Sequence, residues 1–127
     1  MRQPWKPLDT HVVLWWLDDS AELTDEIKHL LDTEPSVFVS AVTPWEIVIK
    51  QPLGGLEGPE DLAERVRDSQ FTSLPITAEH GVRAGRLPAH HRDPFDRILI
   101  TQAQTEGMTI LTRDKWIPSY DVQVMPV

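Results

Sequence analysis

DPFDRILITQAQTEGMTILTRD, residues 93–114, reads as a helix followed by a buried strand, and that order sets the fold class. Asp93 can accept hydrogen bonds from the free N–H groups of a helix start, and Pro94 suits the first helical position because its missing donor costs nothing there. Phe95, Ile98, Leu99 and Ala103 form an apolar stripe, and Gly107 stands where the helix should stop. Residues 108–112 are a short apolar run suited to a buried strand, and Arg113-Asp114 follows it directly.

Toward the N-terminus, Thr43-Pro44-Trp45-Glu46 repeats the arrangement of Asp93-Pro94-Phe95-Asp96 behind a strand-like run at 36–40. Thr43 is the expected cap, Pro44 the first helical residue, and Glu46 the reciprocal partner of a capping box. Thr24 caps a predicted helix over 25–33, residues 52–59 read as a loop, and a further helix is expected over 59–69. An extended piece at 71–76 precedes a short helix from Thr77 to about Gly85, and residues 121–125 offer a last strand. Alternating strands and helices predict an α/β fold with a mainly parallel sheet, helices on both faces, and ligands beyond the C-terminal strand ends. The strand before Asp9 is the weak point, because Pro4 and Pro7 cannot donate to a ladder.

Composition fits this reading. The chain has 127 residues, enough for one domain over 1–127 with a real core, and 40% hydrophobic residues argue against disorder. A formal charge of -8 argues against a basic clamp on nucleic acid and permits a cation-loaded acidic site. The absence of Cys removes disulfides, thiolate catalysis and Cys-type zinc sites. The longest apolar run, residues 12–17, falls far short of the ~20 residues of a membrane span, and no signal-peptide core follows Met1, so a cytoplasmic location is expected.

Several acids fall at one edge of the predicted sheet: Asp9 after the first strand, Glu46 and the pair Asp93 and Asp96 at helix starts, and Asp114 after the strand 108–112. Two carboxylates ~4 Å apart repel by roughly 4 kcal/mol at an effective dielectric of 20. A hard divalent ion relieves that cost, and an all-oxygen donor set favours Mg²⁺, with Mn²⁺ possible. Taken singly, the same acids have plainer explanations. Glu46 and Asp93 can be caps, Asp96 is favoured by the helix dipole, and Asp114 suits a turn. His11 borders this edge or simply starts a helix, His90-His91 is a poor ligand pair because neighbours on a loop diverge, and Trp15, Trp16 and Trp45 suit a core or a partner surface. No Gly-rich phosphate loop or serine nucleophile elbow is present.

At these residues the sequence resembles the PIN-domain family, specifically the VapC-type toxins of toxin–antitoxin modules. The matching segments are Leu8-Asp9-Thr10-His11 with Leu14-Trp15-Trp16-Leu17, Trp45-Glu46-Ile47 through Lys50, Leu74-Pro75-Ile76-Thr77, HHRDPFDRILITQA from His90, and Gly107 through Asp114. The resemblance implies an α/β/α sandwich with a central sheet of about five strands and Mg²⁺-dependent hydrolysis of RNA to 5′-phosphate and 3′-hydroxyl ends. By motif position the metal and catalytic quartet corresponds to Asp9, Glu46, Asp96 and Asp114, with Glu46 completing the site or acting as general base. Asp93 resembles an extra acid beside the metal, Thr112 a hydroxyl that orients metal water, and Arg97 a holder of carboxylate or phosphate. The family also implies a homodimer whose groove could present Arg83, Arg86, Arg92 and Arg97 to RNA. Its antitoxin partner would pair a DNA-binding N-terminal half with a basic segment entering the acidic pocket. Lys6 and Pro7 depart from the aliphatic first strand of the family, and residues 51–56 lack its basic side chains. A weak or inactive module acting mainly as antitoxin partner and co-repressor is the alternative, and a hydrolase of small phosphoesters a third.

Overall fold

The computed structural model describes residues 6–127, so Pro4 lies outside the described residues. Strands β1 (Lys6–Pro7), β2 (Val37–Ser40) and β3 (Thr72–Leu74) form one parallel sheet in that order, and β4 (Thr109–Thr112) pairs in parallel with β5 (Gln123–Pro126). A parallel bridge from Leu8 to Leu111 joins the two sheets into the order β3-β2-β1-β4-β5.

The first strand explains how Pro7 is tolerated. Lys6 N donates to Ser36 O and Leu8 N to Phe38 O, each at 2.9 Å, while Asp9 N donates to Leu111 O at 3.0 Å. Successive N–H groups along a strand face opposite neighbours, so the donor that Pro7 lacks would have faced β4, not β2. The ladder to β2 is untouched, and the contact with β4 shrinks to the Leu8 bridge.

Helices α1 (Thr10–Leu17), α2 (Asp25–Thr33), α3 (Val42–Lys50), α4 (Leu62–Arg67), α5 (Ala78–Gly85) and α6 (Pro94–Glu106) complete the α/β sandwich. Alternation along β2 and β4 assigns the two faces. Val37, Val39 and Leu111 join a core with Val12, Val13, Leu31, Ile47 and Val66. Phe38 and Ile110 join a second core with Leu99, Ile100 and Ala103. Gly107 ends α6 in the left-handed conformation at φ 70°, which a residue with a Cβ adopts only under strain.

Two local expectations are corrected. The helix expected over 59–69 occupies only Leu62–Arg67, with turns before it. Thr43 does not cap α3, and no capping box with Glu46 forms, because the helix begins at Val42 and Ser40 Oγ already accepts from Val42 N at 3.1 Å. Ser40 also donates to Gln102 Oε1 at 2.6 Å, and Gln102 donates to the carbonyls of Leu74 and Pro75 at 3.2 and 3.1 Å. This buried network pins the C-terminal ends of β2 and β3 to α6, beside the acids.

Candidate metal centre

Asp9, Asp93, Asp96 and Asp114 are placed by strand ends and helix starts, and Glu46 by the second turn of a helix. Asp9 ends the first strand and caps α1, with Oδ1 accepting from His11 N at 3.2 Å and Oδ2 accepting from Thr112 Oγ1 at 2.5 Å. Thr112 ends β4, and its hydroxyl also accepts from Asp114 N at 2.9 Å. One side chain therefore fixes two of the acids relative to each other. Asp114 Oδ1 in turn accepts from Trp116 N at 2.7 Å. Glu46 lies on the second turn of α3, only 4% exposed, and accepts from Thr10 Oγ1 and from Lys50 Nζ, each at 2.5 Å. Asp93 caps α6 through Oδ1, which accepts from Phe95 N at 2.9 Å and Asp96 N at 3.2 Å, while its Oδ2 faces Lys50 Nζ at 3.4 Å.

Asp96, on the first turn of α6, is where the acids meet electrostatically. Its carboxyl is pushed up to about 8, first by burial and then by the charges of Asp93, Asp9, Asp114 and Glu46. Burial also pushes the Asp9 carboxyl up, against the pull of the Thr112 and His11 hydrogen bonds, and Asp114 adds to the rise. For Lys50, partial burial acts to lower the ammonium, but hydrogen bonding and charge attraction to Glu46 and Asp93 outweigh it and hold the group above its usual range.

The donor set is all oxygen, and the neighbouring carboxylates add to the cost of ionising Asp96 and Asp9, which suits a hard dication such as Mg²⁺ or Mn²⁺. Among the described residues, no three acidic or histidine side chains already form a coordination cage. Hydrogen bonds to Thr10, Thr112, Lys50 and backbone N–H groups hold the carboxylates instead. A cleft of about 270 Å³ opens beside Asp9 and Asp114, walled by His11, Val12, Trp15 and Arg113.

The remaining expected residues separate clearly. His11 is exposed at the cleft, its ring 6.1 Å from that of Trp15. His91 does face the acids: one ring nitrogen lies 3.4 Å from Asp96 Oδ2 and the other 2.8 Å from Tyr120 Oη, whereas His90 stacks edge-on against Tyr120. Arg97, expected to hold a carboxylate or phosphate, instead donates to the carbonyls of Ala84, Leu87, Pro88 and His91. Those four acceptors engage both terminal nitrogens and make the fork a clamp on the end of α5 and the loop before α6. Trp15 and Trp16 pack against the first core, while Trp45 is 55% exposed and meets Phe95 edge to face. The sequence reading gave no role to Lys50 or Thr10. The Glu46–Lys50 spacing of four residues on one helix face was the available signal for the former; nothing local marked the latter.

Among the described residues, no helix is long and apolar enough to cross a membrane. The PIN domain family matches residues 7–122. The chain is 26% identical over 121 residues to Ribonuclease VapC22 of Mycobacterium tuberculosis, covering 89% of each. Its fold is similar to VapBC2 from Rickettsia felis, solved bound to a DNA fragment from their promoter, with a TM-score of 0.71 at 12% identity over 96% of this chain and 98% of that one. A toxin–antitoxin complex from Klebsiella pneumoniae gives a TM-score of 0.66 at 17% identity over 94% and 95%. With the expected α/β architecture in place and nearly the whole chain matched, this protein belongs to the PIN-domain family.

Proposed function

We propose that this chain, one PIN domain over residues 1–127, is a Mg²⁺-dependent endoribonuclease, also served by Mn²⁺, and the toxin of a toxin–antitoxin pair. The observation that carries this reading is the gathering of acids from distant stretches of chain: Thr112 ties Asp9 to Asp114, Thr10 beside Asp9 donates to Glu46, and Lys50 links Glu46 to Asp93, which caps the turn that carries Asp96. The similarity to a curated VapC ribonuclease over most of both chains supports the substrate class.

In this reading Asp9, Asp96, Asp114 and Glu46 hold the ion. The ion, when bound, supplies an activated water and offsets charge on the scissile phosphate. Thr112 keeps Asp9 and Asp114 in fixed register, since its single hydroxyl donates to one and accepts from the backbone of the other. Thr10 holds Glu46 Oε1 from α1 and Lys50 holds Oε2, which fixes the carboxylate beside the start of α1 that Asp9 caps. Glu46 completes the ion's shell or takes a proton from the attacking water. Asp93 acts as helix cap and as neighbour of the quartet, not as a fifth ligand.

The RNA would approach over the open cleft beside Asp9 and Asp114, and Arg83, Arg86 and Arg92 are exposed to meet its phosphates; Arg97 is withdrawn from that role by its carbonyl clamp. A solved toxin–antitoxin complex of the same fold supports an antitoxin partner, whose basic segment would complement these acids. A homodimer in the cytoplasm completes the proposal. The test is cleavage of RNA by the purified chain. Activity should need Mg²⁺ or Mn²⁺ and vanish in the Asp9→Asn/Asp96→Asn double variant; undiminished cleavage by that variant overturns the assignment. An inert wild-type chain that still binds its antitoxin would favour the partner-module alternative.

A further inference from the structure

Lys50 is a cation that the fold itself inserts among the acids. It closes α3, four residues after Glu46, so both side chains rise from one helix face. Its Nζ lies 2.5 Å from Glu46 Oε2 and 3.4 Å from Asp93 Oδ2, bridging a carboxylate within α3 and the one that caps α6. The Phe95 ring forms a third wall, with its centroid 5.4 Å from the ammonium. The side chain is 29% exposed, so the charge is partly sheltered from solvent. Among the described residues, the other ion pair reaching these acids is that of His91 with Asp96, which is charged only when His91 is protonated.

The acids thus divide into two sectors. Asp9 and Asp114 are joined through Thr112 and open onto the cleft, and among the described residues no cationic side chain bridges them. Glu46 and Asp93 are already bridged by an ammonium. An ammonium that touches Glu46 Oε2 and Asp93 Oδ2 fills the position from which a second dication would neutralise that pair, and its like charge repels a further dication there, leaving Glu46 to share in one ion with Asp9, Asp96 and Asp114.

Resting on the metal-dependent reading above, we infer that Lys50 restricts this centre to one divalent ion by standing permanently in place of a second. Lys50 is a positioning residue in this scheme: it sets ion number and holds Glu46, and it takes no part in proton transfer.

The experiment counts Mn²⁺ bound per chain, by calorimetric titration and by paramagnetic resonance of free Mn²⁺, into the millimolar range. Wild type should bind one ion, Lys50→Gln two, and Lys50→Arg, which restores the cation, one. Circular dichroism of each variant in chelator checks that the chain is folded. Two ions in wild type, or a single ion in folded Lys50→Gln, overturns the inference while leaving the nuclease reading intact. No ion in wild type overturns both. Should Lys50→Gln not fold, Lys50→Met, which keeps the stem without the charge, takes its place in the count, with two ions expected and a single ion overturning the inference.

Discussion

Thr43-Pro44-Trp45-Glu46 in α3 and Asp93-Pro94-Phe95-Asp96 in α6 share one pattern of cap candidate, proline, aromatic and acid, yet the backbone uses them differently. In α6 the pattern is followed: Asp93 caps, Pro94 opens the helix, and Asp96 falls on the first turn. In α3 the helix starts two residues before Pro44, because β2 ends at Ser40 and its hydroxyl captures the N–H of Val42 first. Pro44 is still tolerated there, since the third helical N–H has no partner within the helix. Thr43 is left with a buried hydroxyl lacking any hydrogen-bond partner among the described residues. Glu46 is carried one turn deeper, where it meets Thr10 and Lys50 in place of its own backbone. The two aromatics then touch, Trp45 edge-on to Phe95 at 5.2 Å, tying the two helix starts together. A capping pattern is thus obeyed only where the preceding residue leaves the first N–H groups unclaimed.

The strongest challenge to this comparison is catalytic. If both helix starts deliver acids to one centre, Glu46→Gln and Asp96→Asn should each reduce Mg²⁺-dependent RNA cleavage by about 100-fold or more. A fall confined to Asp96→Asn would separate the two.

The next effect is on stability and carries a definite sign. Folded Asp96 keeps its proton up to about pH 8, whereas an unfolded aspartate loses it near 3.8. Between those values the folded chain binds more protons than the unfolded one, so the stability due to this group is full at low pH and declines as pH rises through the window. In chelator, Asp96→Asn should flatten that decline and raise stability near the top of the window by about 1–2 kcal/mol, on the order of 5 °C in Tm. Melting curves across the window would show it, and a less stable variant would mean that Asp96 serves α6 through the helix dipole instead.

Cap usage gives a smaller and sharper contrast. Asp93→Asn keeps a good cap and Asp93→Ala removes it, so denaturant titration should find the alanine variant about 1 kcal/mol below the asparagine one. Thr43→Val removes a hydroxyl that has no partner and keeps the β-branched shape, so it should be neutral or stabilising by up to about 1 kcal/mol. A clear loss on Thr43→Val would show that this hydroxyl works after all. The smallest effect belongs to the aromatic tie: Trp45→Ala should cost about 0.5–1 kcal/mol, because the ring is largely exposed and gives up little beyond its contact with Phe95.

Residues 93–114 determined a great deal unaided: the cap at Asp93, the stop at Gly107, the strand that follows, and the α/β class. These features rest on periods and backbone preferences within a few residues of each other, which short-range chemistry controls. The positions of Asp9, Asp96 and Asp114 at a helix cap, a first helical turn and beyond a strand end were legible for the same reason, whereas Glu46 was read one turn too early in its helix. What tertiary structure alone decided is which partner each polar group finds. Pro7 is harmless because its missing donor faces β4, and strand order is a property of the whole sheet. Arg97 clamps carbonyls because the end of α5 and the loop after it fold around it, and carbonyl direction is not written in side-chain identity. Lys50 reaches Asp93 across 43 residues of chain, a contact fixed only when the two cores pack the helices against opposite faces of one sheet. Hydrogen bonds and ion pairs are short-ranged and directional, so their partners follow from packing; local pattern supplies only the candidates.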